Sequence, residues 1–386
     1  MTDFRRPHTN DYTVGWICAL PIELAAAAEL LDEEFEDLPE DNNDTNLYTF
    51  GRVGNHKVVV ACLPAGQTGT NSAAAVAIQM KSRFTSIRFG LMVGIGGGVP
   101  SAGSDIRLGD VVISQPHMQH GGVVQYDFGK TGAGGQFTRT GLLNTPPTAL
   151  LNALAKLQSN RFRGRSSLAT HFSVFDRLPQ FSREKAGPDI LFKPTYNHTG
   201  GATCEECNRE GLVERAPRAT EEVVVHYGTI ASGNQVMKDG VTRDRLSSEL
   251  GGVLCFEMEA AGLMNSFPCL VIRGICDYAD SHKNKGWQPY AAATAAACAK
   301  ELLSVIPESH ISETRSIAEQ INKSGESVDQ VWILTIYLLL TCGTEVPPSS
   351  KTQQGQVNNF SGPVYTAGGK AIYGNTFNSG GGAMSF

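Results

Sequence analysis

From Tyr12 to Ile306 the chain alternates short, β-branched apolar runs with alanine-rich stretches of helical spacing. Tyr12-Thr-Val-Gly-Trp-Ile-Cys-Ala19 reads as a buried strand, and Pro21 opens a helix over Ile22–Phe35, since proline is accommodated in a first helical turn. Val58–Cys62 is a second strand and Thr70–Phe84 a second helix. Arg88–Val93 runs as a strand into the glycines of Gly94–Gly98, and Asp110–Ser114 follows. Further on come an apolar stretch over Val223–Ile230, a helix around Glu257–Phe267, a near-continuous apolar strand over Cys269–Ile275, and a long helix over Pro289–Val305. Strands alternating with helices predict an α/β fold, a sheet with helices on both faces. Between Arg163 and Ala219, Ser, Arg, Pro and Gly break the pattern, which predicts a rim insertion of loops.

After Pro307 the character changes. Residues 308–346 read as a polar connector that carries an apolar run, Val331–Leu340, and residues 347–386 as a low-complexity tail rich in Gly, Ser and Asn. Such a tail cannot bury enough surface to form a core and is expected to be disordered when alone. The domain itself is expected over residues 11–307.

Composition narrows the class. At 386 residues the prior is one large or two small domains, and 41% apolar residues suffice for a sizeable core. The net charge of −6 gives no basic excess to hold a phosphate backbone, so nucleic-acid binding is not expected. The N-terminus has no apolar signal region, and the ten-residue run at 331–340 falls short of the about 20 residues a spanning helix needs. Nine scattered cysteines, an odd number in a long chain, fit a reducing compartment, so a cytoplasmic protein is expected.

Glycines and cysteines offer weak signals. Val93-Gly-Ile-Gly-Gly-Gly98 follows a strand, where bare amides can approach an anion or a sugar, though a tight packed turn serves as well. It does not fit G-x-G-x-x-G, and Gly129-Lys-Thr131 lacks the upstream glycine of a phosphate loop. Cys204-x-x-Cys207 is half of a zinc spacing, with His198 or His226 as distant partners; without a second close pair it reads as a loop cysteine pair, and neither metal nor cofactor is expected.

Carboxylates carry the sharper signal. Glu23 sits in the first turn of a helix, where it either complements the dipole or faces a site at the end of the preceding strand. Glu257 and Glu259, two apart, point to different sides of the predicted helix, so at most one should face a shared pocket. Asp277 ends the apolar strand that precedes it, where open α/β sheets place ligands. A carboxylate partly desolvated in such a crevice can hold a proton near neutrality, as a general acid must, or it can serve as a loop cap.

Glu257, Glu259 and Asp277 fall within a set of four ordered motifs: Gly109-Asp-Val-Val-Ile-Ser114, Ser232-Gly-Asn-Gln-Val236, Phe256-Glu-Met-Glu-Ala260 and Arg273-Gly-Ile-Cys-Asp-Tyr-Ala-Asp280. Together they resemble the nucleoside phosphorylase/nucleosidase superfamily, and within it the methylthioadenosine/adenosylhomocysteine nucleosidases. They are more similar still to fungal purine nucleosidase domains associated with NACHT-type immune receptors. The resemblance covers roughly Tyr12–Ile306 and implies a mixed, twisted central sheet flanked by helices. It implies that Asp277 protonates a purine at N7, that Glu259 binds the ribose diol with Met258 against the sugar, and that Glu23 activates water. Val236 and Met237 match positions that contact the base, and Gly94, Ile95, Gly96, Arg273 and Glu257 complete the implied substrate site. A homo-oligomer is implied too.

Departures from the family's pattern decide the reaction expected. Met92 and Ile95 stand where phosphorylases carry a phosphate-binding arginine and a serine; neither side chain donates a hydrogen bond, which favours hydrolysis over phosphorolysis. Cys276 stands where the nucleosidases usually have serine. The expected activity is therefore an N-ribohydrolase acting on a purine (adenine) nucleoside or nucleotide, and an ATP- or AMP-depleting immune effector is one form of it. A weakly catalytic nucleotide-binding effector and a purine nucleoside phosphorylase are the alternatives. Lys283, Lys285, Arg107 and the arginines of the insertion are candidates for a 5′ phosphate. In the tail, Phe360–Tyr365 and Ala371–Phe377 form a loose repeat similar to short amyloid motifs, a candidate link to a NACHT-type receptor.

Overall fold

The computed structural model describes residues 7–39, 41–101, 103–201, 203–308 and 316–317, with the backbone of Val364–Tyr365 and Ala371–Ile372. The chain divides into two compact units, Met1–Ser327 and Val328–Phe386.

In the first unit the apolar runs become one mixed sheet. Its parallel heart is β1 (Val14–Cys18) between β4 (His56–Cys62) and β5 (Phe89–Gly98), with β13 (Cys269–Asp277) on the far side of β5. Antiparallel β2 (Glu33–Phe35) and β3 (Tyr48–Val53) extend one edge. Beyond β13 come antiparallel β6 (Val111–Ser114) and then β10 (Val225–Gly228), parallel to β6. A branch leaves the end of β5: β12 (Cys255–Glu257) pairs with Gly97 and Gly98 and continues to β11 (Ile230–Ser232) and β7 (Val123–Gln125). β8 (Gly129–Thr131) and β9 (Phe137–Arg139) form a separate hairpin.

Helices cover both faces, as expected. α1 (Pro21–Glu29), α3 (Thr148–Phe162), α4 (Leu168–Phe172) and α7 (Gln288–Ser304) accompany one apolar cluster, and Ala186 of α5 (Arg183–Ala186) joins Trp287 and Tyr290 in a small one beside it. α2 (Thr70–Arg83) packs in the other large one, and α6 (Gly240–Glu249) lies near a further, smaller one. α7 is buried almost all round, which its alanines allow: Gly274 on β13 has the Ala291 carbonyl against it and has no room for a Cβ. Leu302 and Leu303 are fully buried, each contributing about 1.5–3 kcal/mol of transfer free energy. Among the described residues no helix is long and apolar enough to cross a membrane.

Several elements differ from the reading of the sequence. The glycines 94–98 do not form a turn but complete β5, ten residues long. The predicted helix over 257–267 is instead β12 followed by a 3-10 turn at Ala260–Gly262. The helix from Ile22 stops at Glu29, and Glu33–Phe35 turns into an edge strand. The insertion is more than loops: Leu168, Phe175 and Phe181 are buried in the main core. The chain beyond 307 also returns to the domain, where Ile317 is fully buried and its N–H donates to the Ile87 carbonyl at 2.8 Å. In the second unit Val364–Tyr365 pairs antiparallel with Ala371–Ile372. The rest of the expected connector and amyloid-type tail lies outside the described residues.

Candidate active site

β1, β5 and β13 run parallel, so their carboxyl ends share one edge of the sheet, and a cavity of about 410 Å³ opens there. Glu23, Ile95, Gly96, Val236, Met237, Glu257, Met258, Glu259 and Asp277 line it, joined by Thr68, Gln235, Lys238, Lys283, Lys285 and Gln288.

Each acid is placed by a different device. Glu23 follows β1 in the first turn of α1 and is buried. Its Oε2 accepts the N–H groups of Ala19 (2.7 Å) and Leu20 (3.0 Å), and its Oε1 that of Ile95 (2.7 Å). A carboxylate has about four lone-pair sites, so one on Oε1 stays free. Burial raises its pKa; Arg273 and the three amides pull it down without cancelling the rise. Gly94 is required here, since a Cβ would meet the Glu23 carboxylate and lie 2.6 Å from an Arg273 nitrogen.

Asp277 is aimed by a bulge. The β13–β5 register skips Cys276, pairing Ile275 with Gly96 and Asp277 with Gly97. A Cβ on Gly97 would lie 2.7 Å from Asp277 Oδ1, so the strand opposite must be bare. Oδ1 accepts the Ala279 N–H (2.8 Å) and the Lys283 ammonium (2.6 Å); the Cys276 thiol lies 3.3 Å from Oδ2 and donates to it. Cysteine thus supplies the donor expected of serine. Burial opposes the charge on Lys283, but Asp277 and its neighbours outweigh burial and hold the ammonium above the usual lysine range.

Glu257 and Glu259 both face this pocket, contrary to the helical reading, because the chain is a strand end here and not a helix. Both reach Arg273, which is fully buried: Glu257 by a direct ion pair and Glu259 at 3.3 Å. Glu257 also accepts the N–H groups of Glu259 (3.1 Å) and Ala260 (3.0 Å), turning the chain back. Glu259 Oε1 accepts the Gly69 N–H at 3.1 Å. Burial pushes the Glu259 carboxyl up to about 7, against Arg273 and with the repulsion of Glu257 and Glu23. Arg273 and Gly94 stand behind the cavity wall and support it; Val236 is half-exposed at its mouth and Met237 buried in its side.

The remaining motif residues hold the walls together. Asn234 Oδ1 accepts both the N–H and the hydroxyl of Thr70 (3.0 Å each), and Ser232 Oγ accepts the Ala261 N–H (2.9 Å). Arg107 and the insertion arginines do not reach the cavity: Arg107 pairs with Asp105, Arg215 with Asp189 and Arg218 with Asp110. Met92 is sealed in the sheet. His226 is bound to Asp110 at 3.0 Å, whereas His198 meets Cys204 and Cys207 in a cluster outside this cavity, with Cys204 sharing a neighbouring cavity with Asp277. Sequence reading did not assign Thr68, Gln235, Lys238 and Gln288 to the site, although Gln235 lies inside the Ser232–Val236 motif and Lys238 two residues beyond it.

The family model described as "Phosphorylase superfamily" matches residues 13–306. The chain belongs to that superfamily. Over 311 residues, 78% of the chain, it is 50% identical to a nucleotide-binding leucine-rich repeat (NLR)-like protein of Hyaloscypha variabilis, of which it spans 30%. It is 27% identical over 301 residues to the 5′-methylthioadenosine/S-adenosylhomocysteine nucleosidase of Mycobacterium bovis, covering 76% of this chain and 97% of that one. It is 24% identical over 287 residues to the ATP nucleosidase Cap17 of Escherichia coli, covering 72% of this superfamily member and 48% of Cap17.

Proposed function

We propose that this chain is a purine nucleosidase that hydrolyses the N-glycosidic bond of an adenine nucleoside or nucleotide. The observation that carries the reading is one cavity holding Glu23, Glu259 and Asp277 in three different environments, with no arginine lining it among the described residues. Cleavage builds positive charge on the sugar and negative charge on the departing base. Asp277 gives a proton to N7 and relieves the second; its Lys283 partner stands ready to keep the emptied carboxylate in place. Glu259 accepts the two ribose hydroxyls and lies close to the developing cation. Glu23, with its free lone pair, takes a proton from the attacking water. Acid and base divide the work because their surroundings differ.

Chromatography of base release from adenosine, methylthioadenosine, AMP and ATP, with and without phosphate, tests this. Adenine is expected from at least one substrate at a rate phosphate does not change. Release that requires phosphate makes the chain a phosphorylase, and release from none makes it a binding effector.

Two observations favour a phosphorylated substrate over methylthioadenosine. Lys238 and Lys285 are exposed on the cavity wall and carry no ion pair among the described residues, and the E. coli relative is named an ATP nucleosidase. In that reading the enzyme is a cytoplasmic homo-oligomer, its domain at 11–307, that depletes ATP or AMP as an immune effector. The name of the H. variabilis relative supports a receptor of NLR or NACHT type as partner, reached through the tail at 347–386.

The pH profile follows from Glu259, which accepts both hydroxyls only when ionised. kcat/KM is expected to rise with pH through about 7, the value to which burial lifts this group. Stability takes the opposite sign: a carboxyl raised above its ordinary 4.5 binds its proton more tightly when folded, so its contribution falls as pH rises from there towards about 7. Rates measured from pH 5.5 to 8.5 check the first part; a flat kcat/KM removes Glu259 from the diol.

A further inference from the structure

The insertion closes on the loop after Asp277 through a cluster of soft ligands. One donor atom each from His198, Cys204 and Cys207 lies within 4.8 Å of the other two. Three features show that the cluster is more than a cysteine pair near a histidine.

First, the spacing is local, with His198 six positions before the first cysteine and C-x-x-C closing the turn; the Cys207 N–H donates to the Cys204 carbonyl at 3.2 Å. This is the tight knuckle in which two thiolates converge on one cation. Second, His198 is held as a metal-bound imidazole is held. Its Nε2 gives a proton to the Thr203 carbonyl at 3.0 Å, which leaves the Nδ1 lone pair for a ligand bond. The Gly200 N–H donates to that lone pair at 3.1 Å, the position a cation would take. Third, a buried histidine with no hydrogen-bond partner stands beside the cluster. The His282 side chain is 6% exposed, and neither ring nitrogen has a hydrogen bond, the Asp280 carboxylate standing off at 3.5 Å. Its ring is stacked on Phe192, with centroids 3.9 Å apart.

The two imidazoles meet edge to face with centroids 5.5 Å apart. Two histidines on one tetrahedral zinc, at Zn–N bonds near 2 Å, place their ring centres at roughly 5 Å. Cys204 and His282 also line one cavity, with Thr203, Glu205 and Asp280.

We propose that His198, Cys204, Cys207 and His282 bind one structural zinc ion. Two sulfurs and two imidazoles suit zinc, whereas Ca²⁺ and Mg²⁺ want oxygen. Both thiols give up their protons on binding. The ion ties the insertion to residues 280–286, the segment that sets Lys283 against Asp277, and the His198 N–H already donates to Ser281 Oγ at 2.9 Å. Its part is to position, not to react.

The test is metal content by plasma mass spectrometry on the intact chain, prepared under reducing conditions and dialysed against buffer with trace zinc. About one zinc per chain is expected, four ligands from one chain serving one ion. The Cys204→Ser/Cys207→Ser double variant should lose it, and His282→Ala should bind it at least tenfold more weakly. Because the variants can fail to fold, cobalt is exchanged into the parent protein as a second readout. A thiolate-to-cobalt charge-transfer band with tetrahedral visible bands supports the site. Parent protein without zinc, zinc retained undiminished in the double variant, cobalt spectra without a thiolate band, or a Cys204–Cys207 disulfide in the reduced preparation each overturns it. None of these readouts depends on the proposed hydrolysis.

Discussion

Replacing Asp277 by Asn is expected to cut adenine release by about 10²–10⁴ while leaving substrate binding within a few-fold of the parent. The amide keeps the shape of the carboxylate. It can still accept from the Ala279 N–H and from Lys283, which bind the present oxygen at 2.8 and 2.6 Å. It can also donate a hydrogen bond to N7, but it cannot transfer a proton there, and the leaving base must then depart as an anion. Two substrates separate this from general damage. 7-Deazaadenosine has no N7 and should bind the parent yet resist cleavage. A riboside with a good leaving group, such as p-nitrophenyl riboside, needs little protonation and should lose far less in Asp277→Asn than adenosine does. Equal losses on both substrates, or a loss below tenfold on adenosine, would mean that Asp277 is not the donor.

Removing the guanidinium at position 273 should cost more in stability than any change on the cavity surface. Arg273 is fully buried and faces three acids: Glu257 directly, Glu259 at 3.3 Å, and Glu23 through its field. Arg273→Met leaves them buried without a counter-charge, and breaking a buried pair in this way costs about 3–5 kcal/mol. The loss should depend on pH. Protonation relieves the repulsion, so the folded state takes up protons that the unfolded chain releases, and the variant should recover as pH falls from 8 towards 5.5. Urea melts at the two pH values measure this. If Arg273→Met does not fold at pH 8, Arg273→Lys, which keeps the charge but loses the fork, should fall between it and the parent. A Met variant within about 1 kcal/mol of the parent at both pH values would show that the guanidinium is not needed to hold these acids in the fold.

The sequence made the sheet legible wherever β-branched residues are packed on both faces, as in β1, β4 and β13. It misled where composition and environment part company. Four glycines carry little strand propensity, yet 94–98 extends β5 because Glu23, Cys255, Asp277 and Ile275 press on it too closely for side chains. Glu257–Phe267 has the letters of a helix, but pairing of Cys255 and Phe256 with β5 overrides that propensity. In the insertion, Leu168, Phe175 and Phe181 are too widely spaced among polar residues to show a period, though they fill the core. For the site, two motifs carry Glu259 and Asp277, the family resemblance added Glu23, and all three line one cavity. What single positions could not reveal is the coupling between them: Arg273 shared by the acids, the bulge at Cys276, and Lys283 folded back on Asp277.

Parallel pairing of β1, β5 and β13 has a consequence for the chain during its own synthesis. Glu23 lies near one end of the domain and Asp277 near the other, and only the completed sheet sets them side by side. A ribosome must therefore release nearly the whole domain before any polypeptide with both groups exists. Truncated or stalled products carry at most part of the set, so no fragment short of the completed sheet can assemble the cavity that holds both acids.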